Sequence, residues 1–201
     1  MKARKVKKLD PAGTVADNFA RIVGVRQREL LGFMARAAEP DQVEALHDMR
    51  IAAKRLRYIL EIAHPCFGDY ARVAVKAIKE LQDLLGEIHD CDVQGEDVRE
   101  LLDRLIAEDA GALAETASDA GDVAPELLRD APNRGSYAGL VALVVHLQAR
   151  RQVLFDAFML LWQDLERRGF GARLDYALSE RPGGEPELTR PALVLLAEET
   201  A

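Results

Sequence analysis

Aromatic residues make up only 5% of this 201-residue chain, and runs of β-branched residues are scarce. Sheets draw on both, so there is little material here for a β-sandwich or barrel. No stretch alternates apolar and polar residues as a half-buried strand does. There are only two cysteines, Cys66 and Cys91, with no secretory pattern around them. A disulfide framework is therefore not expected, and reduced thiols in a cytoplasm are. No apolar core of signal-peptide length follows the basic start MKARKVKKLD. The longest apolar run, residues 138–147, is interrupted by His146 and soon meets Arg150 and Arg151. It is well short of a membrane span, so a soluble protein is expected. Net positive charge is missing as well: the formal charge is -7. That argues against nonspecific coating of nucleic acid, which depends on a basic surface, and any anion site has to be local. Gly-rich phosphate loops and dinucleotide fingerprints are also lacking.

What the chain does contain is Ala and Leu, within a hydrophobic fraction of 49%. This composition, at a length suited to one core, predicts an all-α antiparallel helical bundle in a single domain. A basic tail over residues 1–13 leads to a first helix over about 14–38, opened by Thr14 and with Phe19, Ile22, Leu30, Phe33 and Met34 on its apolar face. Glu39-Pro40-Asp41 breaks the chain, with Asp41 as candidate cap, and a second helix runs over about 42–63, ending before Pro65. A third is predicted over about 69–89 and a fourth over about 93–108. The Ala/Gly/Asp/Pro-rich segment that follows reads as a fraying helix and a loop. A last long helix covers about 136–168, with Gly169 as its C-cap. The bundle is bounded at residue 177, and 178–201 reads as a linker ending in a short docking helix.

The second helix stands out against the acidic background. At about 100° per residue, His47, Arg50, Lys54 and Arg57 fall within an arc of roughly 80°. Met49, Leu56, Ile59, Leu60 and Ala63 occupy a separate arc that faces a core. One helix thus carries a core face and a cationic stripe. Elsewhere Arg21 and Arg28, seven residues apart, share the outer side of the first helix. Arg72, Lys76 and Lys79 lie opposite the apolar arc of the third, and solvation is the ordinary role for such residues. Arg151 stands where the stripe of the last helix calls for an apolar side chain. A guanidinium there needs a carboxylate, an anion or a route to water.

Three chemistries fit these residues. Arg and Lys side chains in line on a rigid helix suit a polyanion with closely spaced phosphates, each charge-assisted hydrogen bond being strong and preorganised. His47 can donate to the same ligand. Metal-dependent phosphohydrolysis would use the dipeptides His47-Asp48 and His89-Asp90 with Asp92, although Asp48 points about 100° away from His47 on a helix. A scaffold whose stripe meets an acidic protein is the third. Covalent catalysis has little support, because aspartates on both sides of Cys91 raise a thiol pKa.

The segment HDMRIAAKRLRYILE at 47–61 resembles the signature helix of the CHAD family, the conserved-histidine α-helical domain. LQDLLGEIHDCDV at 81–93 is similar to the family's following LG-x-x-(R/N)-D-x-D-V segment. The resemblance extends more loosely to Arg21, Arg28 and Arg151. It implies two similar helical bundles around a basic groove for inorganic polyphosphate, in a binding module rather than an enzyme, often associated with polyphosphate granules. His47, Arg50, Lys54, Arg55 and Arg57 match its motif positions, and Lys76 and Lys79 are carried as further candidates. His89 replaces the family's Arg or Asn, and the His-x-x-Arg motif occurs once, so the chain would supply one bundle and half a groove. The resulting expectation is non-catalytic polyphosphate binding with no metal or cofactor, no nucleic acid or membrane partner, and a homodimer that completes the groove.

Overall fold

The computed structural model describes residues 3–117 and 129–180, and every regular element within them is helical. α1 is Val15–Leu31, α2 Met34–Ala37, α3 Val43–Ala63, α4 Tyr70–Ala117, α5 Arg134–Arg167 and α6 Phe170–Ser179, with a 3-10 turn at His64–Cys66. Thr14 caps α1 by accepting from the Asp17 N–H at 3.1 Å, and its hydroxyl donates back to Asp17 Oδ2 at 2.8 Å. This reciprocal pair ties up groups that would otherwise be orphaned in the first turn.

The single first helix expected over 14–38 is in fact two. The Gly32 N–H reaches Arg28 O at 3.2 Å, but that of Phe33 reaches only three residues back, to Leu30 O at 3.1 Å. The tightened turn reorients α2 so that Phe33 and Ala37 are buried. α3 follows the sequence reading closely, with one difference at its start. Gln42 occupies the cap position without a side-chain hydrogen bond, so Asp41 is not the cap.

The larger difference is in α4. The helices expected over 69–89 and 93–108 are one helix of 48 residues, about 72 Å long at 1.5 Å per residue. Asp90, Cys91 and Asp92 do not interrupt it. Each costs a helix only about 0.7 kcal/mol relative to Ala, and here Cys91 is buried while Asp92 pairs with Arg151 of α5. Tertiary partners outweigh the local preference.

α5 returns antiparallel along α4. Asn133 and Tyr137 meet Asp109, Arg151 meets Asp92, and Arg150 meets Glu87 at 2.9 Å. Asp109, 3% exposed, accepts from the Asn133 N–H at 3.0 Å, the Asn133 amide at 2.9 Å and the Tyr137 hydroxyl, which fastens the start of α5 to α4. That hydrogen bond to Asp109 holds the Tyr137 hydroxyl's pKa up at about 12. Gly169, at φ 67, stands in the left-handed region that glycine enters without steric cost, and it turns the chain into α6. The sequence reading assigned no element here. α6 buries Phe170, Leu174, Ala177 and Leu178, so the bundle continues past residue 177. Residues 178 and 179, expected to open the linker, belong to α6, and the rest of the expected linker and the docking helix lie beyond residue 180, outside the described residues.

The core joins α1, α3, α4, α5 and α6 through Leu30, Met49, Leu56, Leu60, Ile78, Leu81, Leu85, Phe158 and Leu174. Fully burying one such side chain is worth about 1.5–3 kcal/mol. α5 also has a second apolar face. Ala138, Ala142, Val145, Ala149, Val153 and Leu160 lie within an arc of about 80°, and all are exposed, with Asp156 as a charged residue in the same arc. Among the described residues, no helix is long and apolar enough to cross a membrane.

Candidate anion-binding site

The Ala- and Leu-rich arc of α3 fixes the site. With Ala45, Met49, Ala52, Leu56, Leu60 and Ala63 buried, the opposite arc must face outward. Lys54 is exposed there, while His47, Arg50 and Arg57 are half-buried along the flank facing α4. Arg57 Nη1 lies 3.2 Å from Glu61 Oε1, and its guanidinium stands 4.7 Å from the centre of the Tyr58 ring. Lys54 Nζ is 5.8 Å from the same ring. The Nε atoms of Arg50 and Arg57 and Oε1 of Gln82 are buried with no hydrogen-bond partner. A buried donor left unpaired costs about 1–3 kcal/mol, so an acceptor that reaches these guanidinium groups regains part of that cost.

His89, read from the sequence as a helix-terminating residue, belongs to this flank. Its Nδ1 is 3.4 Å from Nδ1 of His47, with ring centroids 4.6 Å apart. One nitrogen donates and the other accepts, so the contact requires that the two rings not both be protonated. Burial lowers the His89 pKa, and the Arg50 guanidinium and His47 lower it further. α3 and α4 run antiparallel from this contact, so two turns along them lie Lys54 on one side and Gln82 on the other. Gln82 and His89 are seven residues apart on one face of α4. That seven-residue spacing is the one signal of the pairing in the sequence, and it lies beside a long apolar arc that accounts for the helix by itself.

The other candidates are placed elsewhere. Arg55 is about 140° around α3 from Arg50, on the α1 side, 3.5 Å from the buried Glu29. Arg26 binds the same carboxylate at 2.6 Å. Arg21 donates to Lys8 O at 2.9 Å. The Arg28 guanidinium folds back over Gly24, where a Cβ would come within 3.3 Å of Nη1. Lys76 and Lys79 line a groove between α4 and α5 together with Glu80, Asp83 and Glu87, and Lys79 pairs with Asp83 at 2.5 Å. Arg151 is engaged by Asp92 and donates to Pro40 O at 2.8 Å.

For metal chemistry, no group of three or more His, Cys, Asp or Glu side chains among the described residues is placed to hold an ion. The two His-Asp dipeptides bring their imidazoles against each other, and Asp92 is held by Arg151. Cys91 has its thiol pKa raised, first by burial and then by Asp92, Asp90 and Glu87, against the opposing Arg150.

Residues 2–99 match the CHAD domain family. Rv2226, an uncharacterized protein of Mycobacterium tuberculosis, is 31% identical over 94 residues, which is 46% of this chain and 18% of that protein. The chain thus corresponds to less than a fifth of that relative's length. No solved structure matches. The matched segment, just under half of the chain, carries α1 to α3, the cationic stripe and the His47–His89 pair, and it is similar to the CHAD domain family, which is linked to polyphosphate in general terms.

Proposed function

We propose that this protein binds inorganic polyphosphate or a similar oligophosphate through the α3 face of His47, Arg50, Lys54 and Arg57, with His89 alongside, and carries out no catalysis of its own. The observation that carries the reading is the pair of buried, unpartnered Nε donors on Arg50 and Arg57 within a half-exposed cationic stripe. Such donors are costly in the free protein and are satisfied by an acceptor-rich anion. Charge neutralisation by a preformed helix face makes binding weaken steeply with salt, as for other phosphate polyanions. The test is a titration against polyphosphates of increasing length. Affinity that rises with chain length supports the reading. A scaffold for an acidic protein would show no such preference, and phosphate release with Mg²⁺ or Mn²⁺ would show a hydrolase instead. Association with polyphosphate granules follows from the same binding.

pH provides a second check. Because the His89 pKa lies below the ordinary histidine value, the ring is neutral near pH 7. A phosphate beside it favours the protonated form, so binding takes up a proton and tightens as pH falls below the ordinary histidine range. Without ligand the sign reverses for stability. The unfolded chain takes up that proton first, so the fold loses stability as pH falls from about 6.5 toward the lowered value. His89→Gln should flatten both profiles, read by titration and by thermal unfolding.

Two copies of the chain are proposed to associate, which doubles the cationic surface. The exposed face of α5 supports this, because it is self-complementary. About a two-fold axis through Ala149, Ala138 faces Leu160, small against large, Val145 faces Val153, and Ala142 faces Asp156, the charged residue on this face. Val153→Glu should give a monomer by light scattering at concentrations where the native chain is dimeric. A native monomer with and without polyphosphate would sink the idea.

A further inference from the structure

The first ten residues read as a basic tail, yet residues 4–10 lie antiparallel along α1 and are fastened at three points. The Arg4 N–H donates to Glu29 Oε1 at 3.1 Å. Lys8, at φ 63, directs its carbonyl to Arg21 Nη1 at 2.9 Å. Asp10 and Asn18 exchange two hydrogen bonds, at 2.9 Å from the Asp10 N–H and 2.7 Å from the Asn18 amide. Glu29 is 2% exposed and also holds Arg26 and Arg55. A buried carboxylate with three donors is well compensated, so the start of the chain is held by an interior group.

The clamp brings cations together. Arg4, Lys5, Lys7 and Lys8 of the clamped segment, and Arg21 and Arg28 of the helix it lies along, are all exposed. The three lysines make no ion pair with any other described residue. The face also adjoins the α3 stripe. The Arg55 guanidinium and the Arg4 N–H meet one oxygen of Glu29. Arg55 is about 100° around α3 from Lys54, with Tyr58, Ile51 and Ile62 between them and Glu44 in the same arc near the start of the helix. Cations therefore continue from Arg50 and Lys54, across Arg55, to the clamped segment.

We infer that residues 4–8, clamped on α1, form a second anion subsite that extends the α3 stripe around the bundle, so that one long polyphosphate chain occupies both. The inference rests on the polyphosphate reading of α3 and adds to it a structural cause for preferring long chains. Tripolyphosphate is too short to span both subsites and is held by the α3 stripe alone.

The test replaces three exposed side chains that hold nothing in the fold: Lys5→Ala, Lys7→Ala and Lys8→Ala together, with Lys→Arg at the same positions as the control. Affinity for long polyphosphate should fall about tenfold and the salt slope by about two to three, near the 0.7–0.9 expected per lost phosphate contact. Tripolyphosphate affinity should change less than about twofold, the change expected when a charge outside a ligand's footprint acts only through a screened field. The arginine control should bind like the native chain. An equal loss for both ligands, or no loss for the long one, overturns the second subsite. Arg50→Ala with Arg57→Ala is run beside it. If that variant leaves tripolyphosphate binding intact, the α3 reading itself fails, a separate outcome from failure of the subsite.

Discussion

Replacing Arg50 and Arg57 together by alanine should lower affinity for long polyphosphate by about a hundredfold or more, while circular dichroism stays helical and the thermal midpoint does not fall. Each charge-assisted hydrogen bond contributes roughly 1.5–3 kcal/mol, and a factor of ten needs about 1.4 kcal/mol, so two such donors reach this range. Stability is spared for a structural reason. Both Nε atoms are buried without partners, so truncation removes an unmet donor at each position. The contact of Arg57 with Glu61 is an i,i+4 pair whose acidic partner is 42% exposed, and exposed pairs are worth at most about 1 kcal/mol. Lys54→Ala should cost less, about tenfold at most, because its mobile, hydrated ammonium group is a point charge without the fixed fork of a guanidinium. Unchanged affinity in the double variant would place the anion site elsewhere.

The parts of this arrangement legible in the sequence are those set by one helix. α3 lies between Pro40 and Pro65, which end helices through backbone sterics, so its span and both of its faces follow from local rules. Where the outcome depended on other elements, sequence reasoning misplaced it. Asp90-Cys91-Asp92 looks like a helix end until α5 supplies Arg151 for one aspartate and burial for the cysteine. α6 is short and begins just after a glycine that also makes a good terminator, so its helicity depends on the core it enters. Arg55 illustrates the same point within the site. Its sequence neighbours Lys54 and Arg57 are on the stripe, but the helical period carries it to the α1 flank, where Glu29 holds it. The clamped N-terminal segment left no periodic trace at all, because its hydrogen bonds are made by backbone groups to side chains 8 to 25 residues away. His89 entered the site by antiparallel pairing of α3 with α4, a register that becomes visible only once both helices are placed.

Arg151 is the candidate for which binding and stability should separate most clearly. Its guanidinium is committed to Asp92 and to the Pro40 carbonyl, and the two charged side chains are 16% and 15% exposed. Arg151→Ala leaves Asp92 as an uncompensated, largely buried carboxylate and frees the Pro40 carbonyl in the α2–α3 connection. Breaking a fully buried pair costs about 3–5 kcal/mol, and partial solvent access reduces this to about 2–3 kcal/mol. For a domain of this size that lowers the thermal midpoint by roughly 5–10 °C. Asp92→Ala should cost a similar amount, and the double replacement less than the sum of the two, because no lone charge then remains. Arg151→Met with Asp92→Leu should recover most of the loss by filling the α4–α5 seam with apolar volume. Polyphosphate affinity, measured well below each variant's midpoint, should stay within about twofold of native throughout, since a guanidinium already saturated by a carboxylate and a carbonyl has little left to offer a phosphate. A loss of binding comparable to that of the Arg50/Arg57 variant, with the midpoint unchanged, would return Arg151 to the anion site and make Asp92 its placeholder.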